Sequence, residues 1–147
     1  MEDSDFFNLS RFLEAQSKDY SQALREIRAG RKESHWMWYV FPQFLGLGTS
    51  GTSRRYAIRS TTEAEAYLRH AVLGPRLEGA FSAVLEHARI RPIDIFGDLD
   101  TQKLHSSATL FSLVATSESI YEEVLVRFFT GVKDERTVDL LRKSLGG

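Results

Sequence analysis

The sequence predicts an all-α fold, a single compact orthogonal bundle of about seven or eight helices over residues 1–147, with residues 1–8 as a flexible lead. Three observations predict it. Apolar residues recur at steps of three and four along most of the chain, the spacing that builds one face of a helix. Residues that start and stop helices fall between those runs. The one strand-like run, Trp36 to Phe41, has no partner elsewhere to pair with.

The first run is Leu9, Phe12, Leu13, Gln16, Tyr20, Leu24 and Ile27. Ser17-Lys18-Asp19 is expected to divide it, because Asp19 and Gln22 have the spacing of a capping box. Gly30 supplies a residue tolerant of positive φ at the end. Trp36 to Phe41 is aromatic and β-branched, which also suits a strand, and is read as a short buried helix ended by Pro42. Gln43 to Ser53 is rich in Gly, Ser and Thr and lacks periodicity; loops of this length are often functional, and a helix is expected to start near Ser53.

Thr62 and Glu65 repeat the capping spacing before Ala66, Tyr67 and Val72. Gly74-Pro75 closes that helix and opens the next, whose buried stripe is Leu77, Ala80, Phe81, Val84, Leu85 and Ala88. Pro92 opens a short turn through Phe96, and Asp100 is placed as the cap of a helix carrying Leu104, Ala108, Phe111 and Val114. Ser119 and Glu122 cap a helix with Ile120, Tyr121, Val124, Leu125, Phe128 and Phe129 on its apolar face, closed by Gly131. A last helix from near Asp134 buries Val138, Leu141 and Leu145.

Composition narrows the function classes. The 42% hydrophobic and 12% aromatic content supplies a core and argues against disorder. Nineteen basic against 20 acidic residues leave a formal charge of −1, so no general field attracts nucleic acid or an anionic membrane, and neither partner is expected. Basic clusters at Arg25, Arg28, Arg31 and Lys32, and at Arg54, Arg55 and Arg59, read as solvated faces. The absence of cysteine excludes thiolate chemistry and fits a reducing, cytoplasmic setting. The acidic opening from Met1 to Asp5 has no apolar stretch behind it, which predicts no signal peptide.

The run Gly30-Arg31-Lys32-Glu33-Ser34-His35-Trp36-Met37-Trp38-Tyr39-Val40-Phe41-Pro42-Gln43 closely resembles the hallmark of the domain of unknown function 1810 family. Further matches follow at Gly46-Leu47-Gly48, Tyr56-Ala57, Ala66-Tyr67-Leu68, Leu73-Gly74, Phe96-Gly97, Asp100, Lys103-Leu104 and Ser106-Ser107. The resemblance spans roughly Leu9 to Leu145 and implies an all-α fold, with no established activity and so no catalytic residues to carry over; no cofactor is assigned. A calpastatin label sometimes attached to that family fits poorly, since such inhibitors are disordered and this chain is densely apolar. In architecture and polar character the sequence is more distantly similar to the NADAR superfamily, which implies NAD or ADP-ribose chemistry, including N-glycosidic cleavage.

Four groups of residues carry candidate chemistry. Gly46 to Gly51 has the glycine spacing of a dinucleotide fingerprint, but Pro42 and no strand precede it, so no Rossmann unit is expected. In a looser reading, Gly48 lets backbone N–H groups approach a phosphate, Ser50 and Ser53 add hydroxyls, and Arg54 adds charge. The plainer reading is a surface loop with a capping serine. Lys32, His35, Trp36, Trp38 and Gln43 gather around an apolar element, where rings can stack on a base and polar groups hydrogen-bond, or where indoles simply pack a core. Lys103, Ser106 and Ser107 share a helix face at i, i+3 and i+4, as a lysine-activated serine requires; small hydroxyl residues equally permit close helix packing. Asp94, Asp98 and Asp100 offer carboxylates, more often caps than metal ligands, and no metal is assigned.

Together these place one polar, aromatic-lined pocket between Lys32–Gln43, Gly46–Ser53 with Tyr56, and Asp100–Ser107. The expected ligand is a nucleotide or ADP-ribose-like small molecule, with Arg54 and the glycine loop on phosphate and Trp36 or Trp38 stacking. If the chain is an enzyme, N-glycosidic hydrolysis follows, with His35 and Asp100 (or Glu33) as catalytic groups and a carboxylate facing a developing oxocarbenium ion. The alternative is a non-catalytic interaction or sensing module.

Overall fold

A computed structural model describes residues 5–146, and its first helix, α1 (Ser10–Ala29), runs unbroken through the expected division. Asp19 does not cap: its carboxylate accepts the Tyr39 hydroxyl, so the capping-box spacing with Gln22 serves a tertiary contact instead. Gly30 closes α1 in the left-handed region at φ 85°. Of the residues read as a flexible lead, 1–4 lie outside the described residues, whereas Asp5 accepts from the N–H groups of Leu9 and Ser10 at 2.6 and 2.8 Å and ties the turn to α1.

The aromatic run is a helix, α2 (Met37–Val40), only four residues long, with Met37, Tyr39 and Val40 buried. Gln16 of α1 holds it by donating to the Tyr39 carbonyl at 2.7 Å and to the Tyr67 hydroxyl at 3.0 Å. The glycine-rich loop then makes an isolated parallel bridge, Phe44 with Ile58, and contains α3 (Gly51–Arg55). That helix starts two residues before the expected point, capped by Ser50, whose hydroxyl accepts from the Ser53 N–H at 3.1 Å.

Five more helices follow among the described residues: α4 (Thr61–Arg69), α5 (Leu73–Leu85), α6 (Pro92–Val114), α7 (Ile120–Phe129) and α8 (Glu135–Gly146). The α4 cap falls on Ser60 and Glu63, not on Thr62 and Glu65, because Glu63 also takes a tertiary partner. Its carboxylate faces Arg11 at 2.9 Å, and Arg11 spends its remaining N–H groups on the carbonyls of Phe7, Asn8, Arg55 and Ala57. All five guanidinium donors are thereby satisfied, which a buried charge requires. Ser119 caps α7 as its spacing predicts, with the Glu122 N–H donated to its hydroxyl at 3.2 Å.

The helix α6 departs from expectation at Gly97, where φ 81° and ψ 175° break it into two pieces. Asp100 therefore lies inside the first turn of the second piece and does not cap it.

A chain of ring contacts runs through the core from Phe41 at the end of α2: Phe41 on Phe81, Phe81 on Tyr121, Tyr121 on Phe111, Phe111 on Tyr67, and Tyr67 on Phe12, at centroid separations from 4.8 to 5.8 Å. Offset and edge-on ring pairs of this kind add about 0.5–1.5 kcal/mol each beyond the area they bury. Among the described residues no helix is long and apolar enough to cross a membrane.

Candidate functional site

The segment between α1 and α2 is built on one buried carboxylate, Glu26 of α1. Its Oε1 accepts from the backbone N–H groups of Glu33 and Ser34 at 2.8 and 2.9 Å and from the Trp36 indole N–H at 2.9 Å. Its Oε2 accepts from the Ser34 hydroxyl at 2.6 Å and from Gln22 at 2.8 Å. Burial by itself would raise the Glu26 pKa; the donors from Ser34, Gln22 and Glu33 outweigh it and hold the carboxyl well below the usual carboxylate range. Glu26 sits between Ala23 and Ile27 on the buried side of α1, and an acid in that company is a signal that donors converge on it.

This framework fixes Lys32. Its backbone N–H donates to the Ile95 carbonyl at 2.8 Å, and its ammonium donates to the Ser34 carbonyl at 2.6 Å. The same ammonium lies 5.0 Å from the Trp36 ring centroid and 2.8 Å from Asp100 Oδ2. The other Asp100 oxygen, Oδ1, takes Lys103 at 3.2 Å, and the Lys103 ammonium stands 5.1 Å over the Trp38 ring. One carboxylate thus serves two ammonium groups, and the cluster carries one net positive charge. It is partly buried: 9% of the Lys32 side chain, 19% of Asp100 and 25% of Lys103 remain exposed. Charges held at such depth interact more strongly than in open water.

Trp38, half-buried, is the hinge between this cluster and the glycine loop. With Gln43, Gly48, Ser53 and Tyr56 it lines a cleft of about 10 Å³, room for about one water molecule. The cleft brings those five predicted residues together but is too tight for a base or a sugar. The glycine loop is closed by packing: a Cβ on Gly48 would meet the Ser53 hydroxyl at 2.4 Å, and Gly46 (φ 111°) faces Leu140. Ser50 and Ser53 are engaged with each other, hydroxyl to hydroxyl at 3.0 Å, and Arg54 is exposed with no ion pair among the described residues. The loop's glycines and serines therefore have structural work.

Several other expectations are corrected. Trp36 is fully buried at 0% exposure, with its N–H satisfied by Glu26, so it offers no face to a ligand. Ser106 and Ser107 are sealed in the core; the Ser106 hydroxyl pairs with Thr137 at 2.8 Å, and the Ser107 hydroxyl has no partner among the described residues. With Lys103 committed to Asp100, no lysine-activated serine is assembled. His35 is exposed, and no hydrogen bond or ion pair joins its imidazole to the cluster among the described residues. The carboxylates near Gly97 part ways, Asp94 to Arg91 at 3.2 Å and Asp100 to the lysines, while Asp98 is exposed. Glu26 and the Arg11–Glu63 pair are the polar groups that spacing arguments missed.

The model of a family described as "Protein of unknown function (DUF1810)" matches residues 6–141. The crystal structure of the conserved hypothetical protein Rv1873 from Mycobacterium tuberculosis superposes with a TM-score of 0.91 at 44% sequence identity, covering 94% of this chain and 99% of that one. No curated protein matches.

Proposed function

The chain belongs to the DUF1810 family, and from that premise we propose that it binds a small phosphate-bearing ligand of the nucleotide or ADP-ribose type at the Lys32–Asp100–Lys103–Trp38 cluster. The observation that carries this reading is the excess of positive charge beside an accessible indole, two ammonium groups against one carboxylate. An incoming phosphate competes with Asp100 for Lys103, the more exposed lysine and the one with the longer contact. Lys32, shorter and deeper, stays on Asp100. Moving Lys103 also clears the face of Trp38, so phosphate capture and ring stacking are coupled events. The distant NADAR resemblance read from the sequence implies the same ligand class.

A hydrolytic version rests on the same displacement. Once Lys103 turns to phosphate, Asp100 Oδ1 regains a free lone pair and negative charge that can face an oxocarbenium-like transition state. Water would then bond to the anomeric carbon as the C–N bond breaks and the electron pair leaves with the base; the water proton goes to a base that leaves as its anion, or to solvent where nicotinamide leaves neutral. Without turnover, the same site makes the chain a sensing module.

A thermal-shift panel of NAD, ADP-ribose, mononucleotides and inorganic phosphate tests the reading. A ligand at 100 times its dissociation constant stabilises the fold by about 2.7 kcal/mol, a rise of several degrees at this size. ADP-ribose or a nucleotide is expected to raise the midpoint, and release of free base by chromatography separates hydrolysis from binding. A panel that leaves the midpoint in place rejects the proposal.

A further inference from the structure

An open cavity of about 540 Å³, within the roughly 300–1,000 Å³ of small-molecule sites, is bordered by α4, the middle of α5 and the chain from the end of α6 to the start of α7. It shares no lining residue with the lysine cluster. Three carboxylates border it, Glu65 of α4, Glu78 of α5 and Glu118 before α7, against one cation, Arg69. None of these four makes an ion pair among the described residues. Leu68 and Ile120 add an apolar wall suited to methylene groups.

Acidic side chains alone do not make a site; here a second feature is independent of them. Tyr121 also lines the cavity, is only 3% exposed, and its hydroxyl has no hydrogen-bond partner among the described residues. That hydroxyl is not fully enclosed and opens onto the cavity, while its ring is locked at centroid separations of 5.3 Å from Phe81 and 5.8 Å from Phe111. Burial, then the negative charge of Glu78, pushes the Tyr121 pKa up, so the hydroxyl stays protonated and offers a lone pair to a donor.

We infer that this cavity is a second binding site, for an aliphatic amine carrying two or more ammonium groups. One ammonium donates to the Tyr121 hydroxyl and Glu78, another reaches Glu65 or Glu118, and the methylenes lie on Leu68 and Ile120.

The test is calorimetric titration of the intact chain with spermidine at about 0.05 M salt, where screening is weak, with backbone amide NMR to place the binding. Saturable one-site binding is expected, with shifts centred on residues 65–69 and 115–121. Tyr121→Phe keeps the ring and removes the acceptor, and Glu78→Gln removes a charge at an exposed position. Each is expected to weaken binding about tenfold, the effect of one lost charge-assisted hydrogen bond. Glu135→Gln, an exposed acid on α8, is expected to leave it unchanged. Should the phenylalanine variant fail to fold, Glu78→Gln decides. No binding by the wild type, equal loss in Glu135→Gln, or unaltered binding in Glu78→Gln overturns the inference.

Discussion

The Lys32 ammonium lies 2.8 Å from Asp100 Oδ2, joining the turn after α1 to the second piece of α6. Because Lys103 holds the other oxygen, the carboxylate is the shared counter-ion of two lysines. Replacing it with the isosteric amide in Asp100→Asn leaves two ammonium groups uncompensated. We predict a loss of stability of about 1–3 kcal/mol, below the full cost of a broken buried pair because the cluster is partly exposed. The same variant raises the local charge and should tighten phosphate-ligand binding about three- to tenfold. Thermal melts and calorimetry on one sample check both; a variant that loses stability and affinity together contradicts the assignment of the lysines to the ligand.

The two lysines should separate in their effects. Lys103→Met keeps the stem against Trp38 and is expected to cost about 1 kcal/mol of stability, because Lys32 still compensates Asp100, yet to weaken ligand binding about tenfold or more. Lys32→Met removes the deeper partner, with its bond to the Ser34 carbonyl, and should lower both. Denaturant titration beside calorimetry gives the comparison.

Glu26 predicts an acid limit to stability. Its carboxyl is held below its unfolded value of about 4.3, so its contribution is complete above that pH and fades as the pH falls through and below it. Glu26→Gln cannot accept all five donors and should cost about 3–5 kcal/mol near neutral pH, with a flatter dependence of stability on pH below about 5. Unfolding free energies of the two proteins measured from neutral pH downward check the slope; parallel curves would count against it.

Gly97 has a conformation (φ 81°, ψ 175°) that is almost confined to glycine. No atom approaches its would-be Cβ within 4 Å, so any penalty in Gly97→Ala is conformational and not steric. The expected loss is about 1–3 kcal/mol, seen as a lower melting midpoint, with weaker ligand binding because Lys103 is carried on the helix that starts there.

Local signals were legible and long-range ones were not, for reasons that particular residues display. Gly30 and the Ser119–Glu122 spacing depend on neighbours a few residues away, and both do what sequence predicts. Ser60–Glu63 lies two residues before Thr62–Glu65 with the same spacing, and the choice between them is made by Arg11, far away in sequence. Trp36 and Trp38 look alike in the sequence, but α2 is too short to show a period, and only Glu26 determines which indole turns inward. The shared face of Lys103, Ser106 and Ser107 misled because α6 packs against α2, α4, α7 and α8, so a residue one turn from the surface lysine is already enclosed. Lys32, Asp100, Lys103 and Trp38 meet through two ion pairs and a ring contact between stretches far apart in sequence, and the loop serines stay outside that cluster.

The two tryptophan indole N–H signals give the most direct test of the proposed ligand site. During titration with ADP-ribose, two-dimensional NMR is predicted to show the Trp38 signal moving while that of Trp36, sealed and bonded to Glu26, stays in place, and Lys103→Met should push the movement to about tenfold higher ligand concentration or beyond. A Trp38 signal that ignores the ligand, or that moves equally without Lys103, would contradict the account.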